Sequence, residues 1–203
     1  MRPEEIEKRS MEIIAAEMDA MGIEPVNLPV VKRVIHTTAD FEFARTLCFT
    51  TGVVEQARRV LRRGIAIVTD TNMAAAGISK PYATRYGNAV KCWMADEDVA
   101  RRAQERGATR AEVSMEVAAE EHPDAIFAIG NAPTALMRLC ELIRQGKAKP
   151  SLVVGVPVGF VNVVESKELL LGMAVPSIVA QGRKGGSTVA AAILNALYYE
   201  DRQ

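Results

Sequence analysis

Residues 125–145 read AIFAIGNAPTALMRLCELIRQ, and the fold class turns on them. Ala125 to Ile129 is a short apolar run, as expected of a strand buried on both faces. Gly130 interrupts it. Asn131 to Gln145 then reads as a helix, with Asn131 as the expected cap and Pro133 in the first turn, where a missing N–H is harmless. A strand running straight into a helix is half of a βαβ unit, whose next strand should lie parallel to the first.

The same unit repeats on either side. Upstream, a helix from Gly52 to Arg63 stops at Gly64 and is followed by strand Ile65 to Thr69. Asp70-Thr71-Asn72 opens a short helix ending at Gly77, Ala89 to Trp93 is a strand, and Asp96 to Arg106 is a helix. Thr109-Arg-Ala-Glu112 has the spacing of a capping box opening another. Downstream, strand Leu152 to Val156 is cut off by Pro157, and Asn162-Val-Val-Glu165 suggests a second capping box. Val175 to Ala180 is the last strand, and Gly185-Gly186-Ser187 opens a C-terminal helix reaching about Glu200. Toward the N-terminus, residues 3–21 read as an amphipathic helix stopped by Gly22, Pro25 and Pro29 bracket a linker into a short helix, and Phe41 to Thr50 reads as a strand. This alternation implies a three-layer, doubly wound (flavodoxin-like) α/β fold, a mostly parallel sheet of about five strands with helices on both faces. We expect one domain over residues 1–203, with the N-terminal helical segment, about 1–40, packed on the α/β core.

Composition narrows the function classes. Lysine plus arginine equals aspartate plus glutamate at 25 each, so the chain lacks the basic surplus that nucleic acid or a membrane surface attracts. An acidic ligand would have to be held by local groups. Cys48, Cys92 and Cys140 are far apart and form no C-x-x-C pair, so buried, reduced thiols are expected, with no disulfide framework and no metal centre. No run reaches the roughly 18 apolar residues of a membrane span, and the first residues are charged helix formers, which together predict a cytoplasmic protein.

His36 is the candidate acid–base group. Only two histidines occur, and an imidazole, with an unperturbed pKa of ~6.5, can give a proton in one step and recover it in the next. With Pro29 in the first turn of its helix, Val30, Val31, Val34 and Ile35 form one apolar face, and His36 falls almost opposite, beside Lys32 and Arg33. Thr37, Thr38, Asp40 or Glu42 could fix its tautomer. His122, before Pro123 at a helix end, reads as a C-terminal cap-region residue. Four strand or helix junctions could bind anions through free N–H groups: Gly130 to Leu136, Val156 to Phe160, Gln181 to Ser187, and Thr109-Arg110. There is no G-x-G-x-x-G and no Walker sequence, so nothing specifies a nucleotide, and there is no G-x-S-x-G elbow.

In combination, GNAPTAL (130–136), GVPVGFV (155–161) with Glu165-Ser-Lys-Glu168, GRKGGS (182–187), Thr109-Arg110 and His36 resemble the precorrin-8X methylmutase family, also called cobalt-precorrin-8 methylmutase. The resemblance runs in order from Arg9-Ser10 to the C-terminal helix. It implies an isomerase of corrin (vitamin B12) biosynthesis that moves a methyl group from C11 to C12 of the macrocycle, giving hydrogenobyrinate or its cobalt analogue. The histidine matching His36 would protonate the ring C nitrogen and so favour a sigmatropic shift. Carried over position by position, Ser10, Ser79, Thr109, Arg110, Arg183, Gly185, Gly186 and Ser187 would contact the substrate, precorrin-8X or cobalt-precorrin-8. No cofactor is needed for an isomerisation, and the family implies a homo-oligomer, at least a dimer, with shared active sites. Two positions depart from the family pattern: Ala111 stands where serine commonly follows Thr-Arg, and Ser79 where threonine is frequent. A substrate rich in carboxylates around an apolar ring suits scattered N–H, hydroxyl and arginine donors around one acid–base group. The competing reading is a carrier that binds the corrinoid without converting it.

Overall fold

The computed structural model describes residues 2–18 and 22–199. The elements follow in order: α1 (Pro3–Glu17), α2 (Leu28–Thr38), α3 (Phe43–Thr46), β1 (Leu47–Phe49), α4 (Val53–Leu61), β2 (Ile67–Thr69), α5 (Asn72–Gly77), α6 (Lys80–Tyr86) and β3 (Val90–Lys91). The second half adds α7 (Glu97–Arg106), α8 (Arg110–Glu121), β4 (Ile126–Ile129), α9 (Pro133–Arg144), β5 (Leu152–Gly155), α10 (Val163–Leu171), β6 (Ser177–Ala180) and α11 (Ser187–Tyr199). The strands form one sheet in the order β1-β6-β5-β4-β2-β3, parallel throughout except for β1, which pairs antiparallel with β6. The expected doubly wound sheet is therefore present, with a sixth strand at one edge.

Strand alternation sends successive side chains to opposite faces, and both faces are covered. Ile126 and Ala128 of β4, with Leu152, Val154, Ile178 and Ala180, pack under α1, α2, α4 and α11. Phe127 and Ile129, with Val153 and Val179, pack under α8, α9 and α10. The apolar face read in the His36 helix is real: Val30, Val31, Val34 and Ile35 are buried in the first of these cores. On the far face, the nearly buried Glu116 carboxylate ties α7, α8 and α9 together through Arg106 and Arg138, each at 2.9 Å.

Several local expectations need correction. Phe41 to Thr50 is not one strand. Asp40 accepts the Glu42 N–H (2.9 Å), which turns the chain into the single helical turn of α3 before β1 begins. Asn162 precedes α10 but makes no capping box: its backbone is left-handed (φ +57°), whereas a capping side chain needs an extended one. Thr109 does form the box with Glu112. Cys140 is buried, while Cys48 and Cys92 are partly exposed, and all three are free thiols. The first helix reaches Glu17, and the extension expected to residue 21 lies outside the described residues, as does Glu200. Among the described residues no helix is long and apolar enough to cross a membrane.

Candidate active site

The carboxyl ends of the parallel strands are laced together by their own loops. β2 runs into Asp70, which is fully buried, and its carboxylate accepts N–H bonds from Gly130 (2.9 Å), Asn131 (2.7 Å) and Ala132 (2.6 Å). Burial pushes this carboxyl up, and the three donors oppose that. The Gly130 junction thus has its anion built in. Asn131 is consequently not the cap of α9, whose N-cap is Ala132 with no side-chain bond.

Next to it, Thr71 caps α5 by accepting the Ala74 N–H (3.0 Å) and shares a 2.7 Å hydroxyl bond with Ser187 at the start of α11. The Gly186 N–H donates to Val156 O (2.9 Å) and the Gly159 N–H to Arg183 O (3.2 Å), which joins the two loops leaving β5 and β6. Two glycines permit this closeness. A Cβ at Gly130 would lie 2.7 Å from Ser187 Cα, and one at Gly185 would run into Val156 O. In the Val156 junction the Val156 and Gly159 N–H groups are therefore already used, while those of Val158 and Phe160 donate to no acceptor among the described residues.

The Gly182–Ser187 turn is different. The N–H groups of Arg183, Lys184, Gly185 and Ser187 donate to no acceptor among the described residues. Arg183 is exposed and its guanidinium lies 5.6 Å from the centroid of the Phe160 ring. Lys184 pairs with Asp40 (2.6 Å) and Glu42 (2.8 Å), and its ammonium holds the Asp40 carboxyl below the usual carboxylate range. Lys167, 1 % exposed, donates to Gly182 O and Lys184 O, both at 2.8 Å, and burial lowers its ammonium to about 8.

His36 stands four residues before Asp40, exposed on the polar side of α2. Its Nδ1 is 2.9 Å from Ser10 Oγ of α1. One turn earlier on both helices Arg33 bonds Glu7 at 2.8 Å, so the same offset of 26 residues joins both pairs and fixes the helix register that brings Ser10 to the imidazole. None of the four groups adjacent in sequence orients the ring. The Thr37 and Thr38 hydroxyls bond the carbonyls of Arg33 and Val34, and Asp40 and Glu42 face Lys184. The Nε2 atom has no partner among the described residues.

A cleft of about 260 Å³ opens between α2 and α11, lined by Arg33, Thr37, Gly77, Thr188, Ala191 and Asn195, while His36 and Ser10 stand on the neighbouring surface and do not line it. Asn195 accepts the Ser79 N–H (2.8 Å), which places Ser79 at the rim. Thr109 and Arg110 lie in the other helical layer. The Thr109 hydroxyl is 3.1 Å from Thr134 and 2.8 Å from Glu112, and Arg110 is exposed. A larger cleft of about 460 Å³ lies between α8 and α9, lined by the Glu116–Arg138 pair together with Glu120 and Lys147, and neither histidine lines it. His122 ends α8 against Trp93, as a cap-region residue should. Among the described residues no three His, Cys, Asp or Glu side chains converge as metal ligands would.

Sequence reasoning missed Asp70, Lys167, Lys184 and Glu7 as organisers of the site. Lys167 and Lys184 stand inside the Glu165–Glu168 and Gly182–Ser187 motifs. Asp70 read as part of a helix opening.

The family model for precorrin-8X methylmutase matches residues 5–200. The cobalt-precorrin-8 methylmutase of Priestia megaterium is 43% identical over 197 residues, covering 97% of this chain and 88% of that one. That of Salmonella typhimurium is 44% identical over 208 residues, covering 100% and 97%. Among solved structures, the precorrin-8X methylmutase of Thermus thermophilus superposes with a TM-score of 0.90 at 44% identity, covering 96% of this chain and 94% of that one.

Proposed function

The chain belongs to the precorrin-8X methylmutase family, isomerases of corrin biosynthesis, and from that premise we propose that it moves a methyl group from C11 to C12 of precorrin-8X or cobalt-precorrin-8 with His36 as the proton donor. The observation that carries the role of His36 is its bond to Ser10: one ring nitrogen is engaged at 2.9 Å and the other has no partner among the described residues. In the imidazolium, Nδ1–H donates to Ser10 Oγ and Nε2–H is left for the ring C nitrogen. Protonation there favours the tautomer from which the sigmatropic shift proceeds. Nε2, held in the same tautomer by Ser10, then takes the proton back, so the reaction balances with no net gain or loss.

Ser79, Arg183 and the Gly185–Ser187 turn would meet substrate carboxylates around this centre, with Thr109 and Arg110 completing the set. Because Thr109 and Arg110 sit in the opposite helical layer from Ser10 and His36, we infer that they serve a second copy's site, in an assembly of at least two chains. The cleft lined by Arg33 and Thr37 supports this: at about 260 Å³ it falls below the ~300–1,000 Å³ of a typical small-molecule pocket and leaves His36 outside it, so one chain encloses too little of a corrinoid.

The test is to add a catalytic amount of protein to an excess of precorrin-8X and, separately, of cobalt-precorrin-8, and to follow the absorption spectrum. Conversion of many equivalents is expected from at least one. A spectral change that stops at one molar equivalent with both substrates would identify a carrier and overturn the proposal.

A further inference from the structure

The turn from Gly182 to Ser187 poses an electrostatic problem. Its proposed ligands are carboxylates, yet any turn carries carbonyl oxygens as well as N–H groups, and a carbonyl facing an anion repels it. Here every carbonyl from 182 to 184 is drawn inward. Gly182 O and Lys184 O accept from Lys167 Nζ, and Arg183 O accepts from the Gly159 N–H. The side chains of Arg183 and Lys184 are left exposed, and the N–H groups of Arg183, Lys184 and Gly185 have no acceptor among the described residues.

Lys167 is the unusual member of this arrangement. It projects from α10, whose Leu170 packs into the core on the far face of the sheet, and it is buried with no carboxylate bonded to it among the described residues. A lysine so placed is rarely tolerated without a task, because its charge must be compensated by hydrogen bonds alone. We propose that Lys167 is a positioning residue for the reaction, holding the carbonyls of Gly182 and Lys184 away from the substrate so that residues 182–184 present donors and cations. Glycine at 182 (φ +75°) lets the chain adopt the left-handed step that turns the first of these carbonyls inward. The same arrangement directs Lys184 toward Asp40 and Glu42, which ties the turn to the segment just after His36.

This inference rests on the reading that the turn binds substrate carboxylates, so the experiment separates the two. Lys167→Met, Lys167→Arg and Arg183→Ala are each measured for product affinity by absorption titration and for kcat and KM. Arg183→Ala reports on the turn itself. An unchanged Kd in that variant means the turn does not hold the substrate, and both readings fall. With Arg183→Ala weakened, Lys167→Met is expected to raise Kd and KM about tenfold or more while kcat changes less than about threefold, and Lys167→Arg, which keeps the donors, is expected to recover most of the affinity. A Lys167→Met protein that melts earlier but keeps wild-type Kd and KM would assign Lys167 to stability alone and overturn the proposal. If Lys167→Met does not fold, Lys167→Gln decides: amide exchange across 182–187 should quicken together with a rise in Kd, and unchanged values of both would sink it.

Discussion

Ser10 Oγ sits 2.9 Å from His36 Nδ1, and the bond joins two helices whose register is set one turn away by Glu7 and Arg33. An imidazole gripped at one nitrogen keeps its ring plane and its tautomer through a cycle of proton loss and recovery. Ser10→Ala should therefore lower kcat by ~10-fold, about 1.4 kcal/mol of barrier, with KM little changed. Ser10→Thr, which retains the hydroxyl, should recover much of the loss. Equal kcat in Ser10→Ala and wild type would separate Ser10 from the chemistry.

Asp70 binds the strand ends together at the base of the site. Asp70→Ala strands the buried Gly130 N–H and the part-buried N–H groups of Asn131 and Ala132, and an unsatisfied buried donor costs ~1–3 kcal/mol, so the urea midpoint should fall by the equivalent of about 1–3 kcal/mol or more. Asp70→Asn should lie between wild type and alanine, because its amide keeps one acceptor oxygen. An alanine variant as stable as wild type would contradict this account of the junction.

Lys167 makes stability depend on pH with a definite sign. Its folded value, about 8, lies below the ~10.4 of a free lysine, so between these values the unfolded chain binds more protons and stability rises with pH. Buried Cys140, pushed up to about 11, acts in the opposite sense above its ordinary value near 9. The clean window is therefore pH 8 to 9, where stability should rise by at most ~1.4 kcal/mol per pH unit from Lys167. Chemical denaturation of wild type against Lys167→Met checks it. A rise of the same size in both proteins would remove Lys167 as the cause.

The proposed sharing of active sites between two chains predicts complementation. His36→Ala and Arg110→Ala, each impaired alone, should recover activity when their chains are mixed and reassembled, because a mixed dimer then contains one intact site. With random pairing the recovery approaches about a quarter of wild type at substrate below KM. No recovery, with exchange of chains verified by mass, would place His36 and Arg110 in one chain's site.

What was legible in the sequence was whatever is decided locally. The apolar stripe of α2 put His36 on the polar side, the Thr109–Glu112 spacing gave a real capping box, and short apolar runs before helices gave the parallel strands. What was not legible depended on contacts between distant residues. Asp70 lies 60 residues from Gly130, so its carboxylate read as part of a helix opening while the Gly130 junction read as an empty anion site. Ser10 and His36 are 26 residues apart, and nothing local distinguishes Ser10 from a surface serine. Lys167 looked like any lysine in a helix, because its burial follows from the turn folding over it. Asn162 failed for a different reason: the residue type suits a cap, but the backbone entering α10 is left-handed.

The proposed donation of a proton by His36, on which the methyl shift would depend, is tested most directly by single-turnover absorption kinetics with saturating substrate. His36→Ala should bind the corrinoid with near wild-type affinity and convert it ~10²–10⁴-fold more slowly, the range for a positioned acid–base group. Conversion by His36→Ala at the wild-type rate would contradict the account.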